Sequence, residues 1–185
     1  WRHSISRVVL ASGVFLLPAP LLAHSSQPAD SREPISGRRI IKHFDFNERS
    51  QQNVGTVPLF WRPLRDEGFP AYLQGRFDEQ VSHAAAPSFR FDLNGGSIAY
   101  QYEGNDIAVR PNSDYLVTAW VKTSQLSSAR AYMTAFFIDR KGNRIAATEH
   151  TSSLIGGSGK DTDWQRIQIG LTGDVTQARY LGLVL

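Results

Sequence analysis

The residues best suited to chemistry in this chain are aromatic side chains that stand among polar ones. Trp120 lies in the segment 115–122, where apolar and polar residues alternate. Alternation of this kind predicts a β-strand with one buried face, and Trp120 falls on the parity opposite to that face. An aromatic ring can cover the apolar C–H side of a pyranose, while neighbouring amide, carboxylate or guanidinium groups reach its hydroxyls. We therefore expect Trp120 to bind a ligand of this kind if its parity faces solvent.

Tyr132 is the predicted partner of Trp120. If the strands 114–122 and 130–138 are hairpin neighbours, one register places Trp120 beside Tyr132 on a polar, cationic face and leaves an apolar face for the core. The alternative is that both rings pack under a loop, with the two strands in different sheets.

A second candidate group lies in the loop-rich region 57–74. Two prolines in the segment 57–63 favour an edge strand or an irregular loop over a central strand. Loops on a rigid scaffold often carry binding residues, although the tryptophan here could instead cap one end of the fold. The ligand contacts predicted in this region are Trp61, Arg62, Tyr72 and Gln74.

No spacing in the chain indicates catalysis. The chain has no cysteine, which excludes thiolate metal sites and cysteine nucleophiles. The segment 156–160 lacks the first glycine and the Ser/Thr of a phosphate-binding loop, and no Ser, His and Asp grouping indicates a hydrolase. We predict that this segment is not an enzyme, while the full-length protein could still include a hydrolase that acts on glycosidic bonds.

The basic charge belongs to the N-terminal part of the chain. Residues 1–43 hold six of the 20 Lys/Arg and two of the 17 Asp/Glu, which leaves 14 and 15 for the remainder. A nearly neutral domain lacks the electrostatic footprint of phosphate-backbone binding. Nucleic acid is therefore not an expected partner.

Residues 1–23 are typical of a secretory signal peptide whose first residues are missing. Two arginines precede an apolar run at 8–23, which two prolines interrupt and which ends at the small residue Ala23. This run is too short and interrupted for a stable membrane span, although a retained N-terminal anchor is an alternative. Residues 24–39, rich in Pro, Ser and Arg, predict a short disordered linker. The expected location is secreted, periplasmic or at the cell envelope.

The folded part, 40–185, is predicted to be all-β. Segments 88–93 and 97–102 flank Asn94–Gly96 and predict a hairpin, and residues 140–143 predict a second turn. Short strands at this spacing indicate a sandwich or jelly roll. Because a strand-like segment occupies the last residues, we expect the module to continue beyond residue 185.

Several short motifs, in this order, resemble galactose-binding-like β-sandwiches, and among them the family 4/9 carbohydrate-binding modules. The resemblance implies a jelly-roll β-sandwich appended to a larger secreted enzyme or surface protein, often with a structural calcium. Asp45 and Glu48 would then be the calcium ligands. The matching motifs are Phe44–Glu48, Val57–Trp61, Ser88–Phe89, Pro111–Tyr115 with Ala119–Lys122, Asp139–Gly142 and Asp163–Arg166.

Two functions follow as expectations. The first is a non-catalytic carbohydrate-binding module at the N-terminus of a larger exported protein, attached to downstream domains such as a glycoside hydrolase and binding a polysaccharide or glycan. The second is a structural or protein-interaction β-sandwich of an envelope or extracellular protein, without a sugar site. Exposure of Trp120 or Trp61 separates the two.

Overall fold

The protein is built almost entirely of β-strands. The computed structural model describes residues 6–18, 39–48, 53–65, 68–83, 87–110 and 112–185, with the backbone alone for residues 6–18. These residues contain almost no helix, so the all-β prediction is confirmed. The strands are β1 (Ser6–Pro18), β2 (Arg39–Phe44), β3 (Trp61–Pro63), β4 (Gly75–Asp78), β5 (Ser88–Leu93), β6 (Tyr100–Tyr102), β7 (Ser113–Ser124), β8 (Thr134–Ile138), β9 (Arg144–Thr151), β10 (Gln165–Leu171) and β11 (Tyr180–Val184).

The strands form two antiparallel sheets. Sheet A has the order β10-β7-β1-β5-β4, with β2 paired to β1. Sheet B has the order β3-β6-β11-β8-β9. Strands that follow each other in the chain therefore often belong to different sheets.

Alternation of side chains along β7 sets the inner face of sheet A. Tyr115, Val117, Ala119 and Val121 have no solvent exposure, whereas Trp120 is partly exposed. Because successive side chains of a strand point to opposite faces, Trp120 lies on the outer face. The strand and the buried parity predicted for this segment are both confirmed.

The core lies between the inner faces of the two sheets. Phe89 of sheet A and Tyr100 of sheet B make an edge-to-face contact at 4.9 Å between ring centroids. Tyr115 and Phe137 make a second contact of this kind at 5.7 Å. Edge-to-face aromatic pairs stabilise a core beyond the area they bury. The architecture is therefore sandwich-like.

The two hairpins predicted from neighbouring segments have different outcomes. The residues Asn94–Gly96 do not join a hairpin, because β5 pairs with β1 and β4 while β6 pairs with β3 and β11. Here the chain crosses from sheet A to sheet B, and both glycines of the turn have positive φ. The turn at residues 140–143 does join β8 to β9, as predicted.

The proposed register of Trp120 beside Tyr132 is wrong. β7 pairs with β1 and β10, while β8 belongs to sheet B. Trp120 is opposite Arg166 of β10 instead. Parity along one strand is a local property, but the choice of partner strand depends on the whole fold.

Residues 6–18 form the strand β1 between β5 and β7. The predicted signal peptide, residues 1–23, overlaps this strand and stays a prediction. The predicted linker, residues 24–39, lies outside the described residues except for Arg39. None of the helical turns in the described ranges is long and apolar enough to cross a membrane.

Candidate functional site

The outer face of sheet A places Trp120 among polar side chains of the neighbouring strand β10. Ile167 and Ile169 are buried on the inner face, so Arg166 and Gln168 are on the outer face, where both are exposed. Arg166 is directly opposite Trp120, and Gln168 is opposite Thr118. Side chains directly opposite each other on one face of an antiparallel pair have Cβ atoms about 5 Å apart.

This face is open along β10. Gly170 is opposite Leu116, and a Cβ atom added to Gly170 would meet no atom of the described residues within 4 Å. A side chain at this position would project into solvent from the face that carries Trp120. The glycine therefore leaves a flat, accessible stretch beside Gln168.

Two further rings border Trp120. His83 stacks on Trp120 with a centroid distance of 4.1 Å and an interplanar angle of 15°. Trp164, just before β10, meets His83 edge-on at 5.4 Å. No sequence pattern links His83 to Trp120, because the two residues are far apart along the chain. Trp164 itself is partly exposed.

A buried ion-pair network lies on the other side of β1. Arg90 Nη1 is 2.9 Å from Asp78 Oδ2, and Arg90 Nη2 is 2.7 Å from Asp92 Oδ1. Arg76 Nε is 3.0 Å from Asp92 Oδ2. Arg90 of β5 and Lys122 of β7 are opposite the same position of β1, residue 9. The network therefore lies across β1 from the strand that carries Trp120.

Asp78 is held in its ionised form. Burial alone would raise the pKa of its carboxyl, but hydrogen bonds from Arg90 and from the backbone N–H groups of Gln80 and Val81 lower that pKa below its ordinary value. An acidic group of this kind cannot serve as a proton donor near neutral pH.

We call the outer-face group of sheet A the Trp120 platform. It combines one flat ring with the exposed amide and guanidinium groups of Gln168 and Arg166 and with the partly exposed Lys122. Such a surface can stack on an apolar ring face and donate hydrogen bonds to its edges. The residues that define the platform are Trp120, Lys122, Arg166 and Gln168, with the buried Thr118 opposite Gln168 and with His83 and Trp164 at the margin.

Tyr132 lies away from the platform, at a cavity of about 320 Å³. We call this the edge cavity. Its walls come from both sheets and include Phe69, Phe91, Arg130 and Leu185. Tyr132 is 47% exposed. Trp120 and Tyr132 therefore do not form one binding surface.

Tyr72, another predicted contact, lies near the edge cavity but does not line it. Its ring is 69% exposed, and its hydroxyl donates a hydrogen bond to the Gly95 carbonyl at 3.5 Å. Gly96, the next residue, lines the cavity. Tyr72 and Tyr132 thus lie in one region of the surface, and Trp120 lies in another.

Trp61 is buried, and its prediction as a ligand contact is wrong. Its side chain is 2% exposed and packs against Phe44, Phe89 and Tyr102 at centroid distances of 5.4 to 6.0 Å. No acceptor among the described residues reaches its Nε1 atom. The alternative interpretation, a structural role for this tryptophan, agrees with the packing.

The exposed aromatic residue of this loop is Phe60 instead. Its ring is 58% exposed and its φ is 63°, a left-handed conformation that is rare for a bulky residue. Sequence reasoning missed Phe60, since no local pattern shows which of two adjacent aromatic residues turns inward.

Arg62 and Gln74 are both exposed but do not lie together with Trp120. Arg62 is on β3 of sheet B, and its Nε atom is 3.0 Å from Glu103 Oε2. Gln74 comes just before β4 of sheet A. The six predicted contacts are therefore distributed over several parts of the molecule.

Asp45 and Glu48 do not fit a calcium site. Asp45 Oδ1 accepts the Asn47 N–H at 3.1 Å, while Glu48 Oε2 accepts the Leu59 N–H at 2.6 Å and the Asn53 amide at 3.3 Å. Among the described residues, no three His, Cys, Asp or Glu side chains converge as metal ligands. Calcium takes six to eight oxygens, so the two carboxylates are better explained as loop-stabilising groups.

A polar cluster that the sequence did not indicate joins β2 to the loop after β6. Lys42 Nζ is 2.6 Å from Asp106 Oδ2, and the Tyr102 hydroxyl donates to Asp106 Oδ1 at 2.7 Å. Burial and the hydrogen bond to Asp106 raise the pKa of Tyr102 to about 12. Lys42 also lies 5.6 Å from the centroids of Phe44 and Tyr102. The cluster links β2 to the loop after β6 at the edge of the core where Tyr102 packs on Trp61.

Comparison with known proteins adds no relative. No protein-family model, no curated protein and no solved structure matches this chain.

Proposed function

We propose that this protein is a non-catalytic glycan-binding module of the galactose-binding-like jelly-roll type, and that the Trp120 platform is its binding surface. The observation that carries the proposal is the partly exposed indole of Trp120 directly opposite Arg166 on an open sheet face. The ring supplies a stacking surface, and Arg166 supplies donors for hydroxyl or carboxylate groups.

The shape of the platform favours an extended glycan over a small isolated ligand. Small-molecule sites are concave and bury most of the ligand. The platform instead continues along β10 past Gln168 to Gly170, which has no side chain and is opposite the partly exposed Leu116. A polysaccharide chain can lie along such a face and contact it at successive positions.

A binding role is better supported than catalysis on this face. The carboxylates of the network across β1 from the platform, Asp78 and Asp92, are both ion-paired with Arg90. Glycoside hydrolysis needs one carboxyl group that can donate a proton. A lowered pKa at Asp78 opposes that role.

The wider setting is part of the same proposal. The predicted signal peptide and linker would place the module in the periplasm, at the cell envelope or outside the cell. There it would hold a larger protein, such as a glycoside hydrolase, near its polysaccharide substrate.

The second candidate function is a structural or protein-interaction sandwich without a sugar site. The stacking of His83 on Trp120 favours this candidate, because one face of the indole is already covered. Under this alternative, the three rings of His83, Trp120 and Trp164 stabilise the outer face and bind nothing.

The test is affinity electrophoresis of the purified chain in gels that contain neutral and acidic polysaccharides. We expect at least one polysaccharide to retard the parent protein, and we expect both Trp120→Ala and Arg166→Ala to lose that retardation. Tyr132→Ala, which changes an exposed ring at the edge cavity, is the matched control and should migrate like the parent.

Arg166 is exposed, so its substitution separates binding from folding. Loss of retardation in Arg166→Ala with an unchanged thermal melt supports the platform. If no polysaccharide retards the parent, or if Tyr132→Ala alone abolishes retardation, the proposed surface is wrong.

A further inference from the structure

The edge cavity is a second concave feature of the surface, away from the Trp120 platform. Its volume of about 320 Å³ is at the lower end of the range of small-molecule sites and far above the voids that ordinary packing leaves. We propose that the edge cavity binds a small amphipathic carboxylate, with the apolar body of the ligand against the cavity wall and its carboxylate on the guanidinium of Arg130. This inference does not rest on glycan binding by the platform.

The walls of the cavity are mostly apolar. Phe91 and Leu93 of β5 line it from sheet A, and Val184 of β11 lines it from sheet B. Ala131 adds a small side chain to the wall. Because an apolar ligand would remove this surface from water, its burial favours binding. At about 30 Å³ for each water-sized group, the volume accommodates a ligand of about ten non-hydrogen atoms.

Arg130 gives the cavity its charge. Among the described residues that line the cavity, it alone has a charged side chain. Within the described ranges, no carboxylate forms an ion pair with its guanidinium. A carboxylate can accept two parallel hydrogen bonds from one guanidinium, and such charged hydrogen bonds are stronger than neutral ones. The expected ligand therefore has one acidic head on an apolar body.

A glycine in the segment 156–160 makes room for this guanidinium. A Cβ atom added to Gly157 would collide with the guanidinium of Arg130, and the φ of Gly157 is 88°. Both the space and the backbone conformation therefore require glycine. Arg130 Nη1 also donates a hydrogen bond to the Ala129 carbonyl at 3.1 Å. Because these contacts hold the guanidinium at the cavity, less side-chain entropy is lost when an anion binds.

Backbone hydrogen bonds join the two segments that carry Arg130 and Gly157. Ala131 and Ile155 exchange both of their N–H to carbonyl bonds, at 2.8 and 2.9 Å. The Gly157 N–H donates to the Leu126 carbonyl at 2.7 Å. The cationic side of the cavity is thus built before a ligand arrives. The glycines at 156–157, which do not form a phosphate-binding loop, help to position Arg130 instead.

The experiment uses octanoate, which combines one carboxylate with an apolar chain of a size that suits the cavity. Isothermal titration calorimetry measures its binding to the whole chain at concentrations at which octanoate forms no micelles. We expect octanoate to bind at a single site. Octanamide has the same size but no charge, so we expect it to bind more weakly by about tenfold or more.

Three variants locate the binding. Arg130→Gln removes an exposed cation, so we expect octanoate affinity to fall by about tenfold and octanamide affinity to stay unchanged. Arg140→Gln, which changes an exposed arginine of the β8–β9 turn, is the matched control and should bind octanoate like the parent. Ser97→Phe puts a large ring at an exposed position of the cavity wall and should weaken the binding of both ligands.

Selective loss of octanoate binding in Arg130→Gln, with an unchanged thermal melt, supports the proposal. Failure of the parent to bind octanoate overturns it, as does equal affinity of the parent for octanoate and octanamide. Binding that persists in Ser97→Phe, or that Arg140→Gln weakens as much as Arg130→Gln does, also overturns it. Polysaccharide retardation is a separate measurement, so failure at either site leaves the proposal for the other in place.

Discussion

The two tryptophans that the sequence offers as ligand contacts lie in opposite environments. Trp120 is on the outer face of sheet A, partly exposed, with Arg166 opposite it. Trp61 is 2% exposed among Phe44, Phe89 and Tyr102. The comparison teaches that an aromatic residue inside a long strand, such as Trp120 in β7, is easier to place than one that opens a three-residue strand, such as Trp61 in β3. A long strand shows its alternation in the sequence, whereas three residues are too few to show which side chain turns inward.

Trp61 should have the largest effect on stability. We expect Trp61→Ala to lower the free energy of unfolding by about 3–5 kcal/mol, because a large cavity opens in the aromatic core. Trp61→Phe keeps a ring and removes an Nε1–H that lacks a described partner, so its cost should be below about 1.5 kcal/mol. Urea titration of both variants measures the difference. Equal losses would indicate that the indole nitrogen has an important partner.

Asp78 tests the ion-pair network that flanks the platform. Asp78→Asn leaves a buried guanidinium with Asp92 as its remaining ion-pair partner, so we expect a loss of about 3 kcal/mol. Arg76→Gln, in which the exposed end of the network is changed, is the control and should cost below about 1 kcal/mol.

The Asp78–Arg90 ion pair should also make the stability of the fold depend on pH. The folded state lowers the pKa of Asp78, so its stabilising contribution is complete above the unfolded pKa of about 3.9 and is lost as pH falls through the folded value. Urea titrations at pH 6 and pH 3 give the free energy of unfolding at each pH. This free energy should fall less between pH 6 and pH 3 for Asp78→Asn than for the parent. An equal fall in both proteins would contradict a lowered pKa at Asp78.

Trp120 should affect binding more than stability. A half-buried ring on the outer face contributes less to the core than Trp61 does, and we expect Trp120→Ala to cost about 1–2 kcal/mol. Retardation by the bound polysaccharide should disappear. A loss as large as that of Trp61→Ala would place Trp120 among the structural residues and favour the second candidate function.

Substitution of His83 should have the smallest effect on stability. It also tests whether the imidazole that stacks on Trp120 blocks glycan binding or takes part in it. We expect His83→Ala to change the free energy of unfolding by about 0.5 kcal/mol or less, because its side chain is exposed. Removal of the imidazole frees one face of the Trp120 indole, so polysaccharide retardation should be at least as strong as in the parent. Weaker retardation would show that His83 itself contacts the glycan. Tryptophan fluorescence of the variant reports whether the stacking at Trp120 has been lost.

Local patterns predicted much of the fold but only part of the candidate site. The buried parity of β7 and the β8–β9 turn followed from alternation and turn residues, which act over a few positions. The Asn94–Gly96 turn has hairpin chemistry, yet it connects two sheets. The contact of His83 with Trp120 has no sequence signal, because it depends on how a distant loop packs.

The sequence by itself determined the all-β class, the inner and outer parity of β7 and the absence of cysteine chemistry. These features depend on residue type and on the period of a strand, both of which are local. Only the tertiary structure decided that Arg166 faces Trp120, that Tyr132 borders a separate cavity, that Trp61 is buried and that β1 lies between β5 and β7. Strand order determines these neighbours, and it follows from how the two sheets together cover one core.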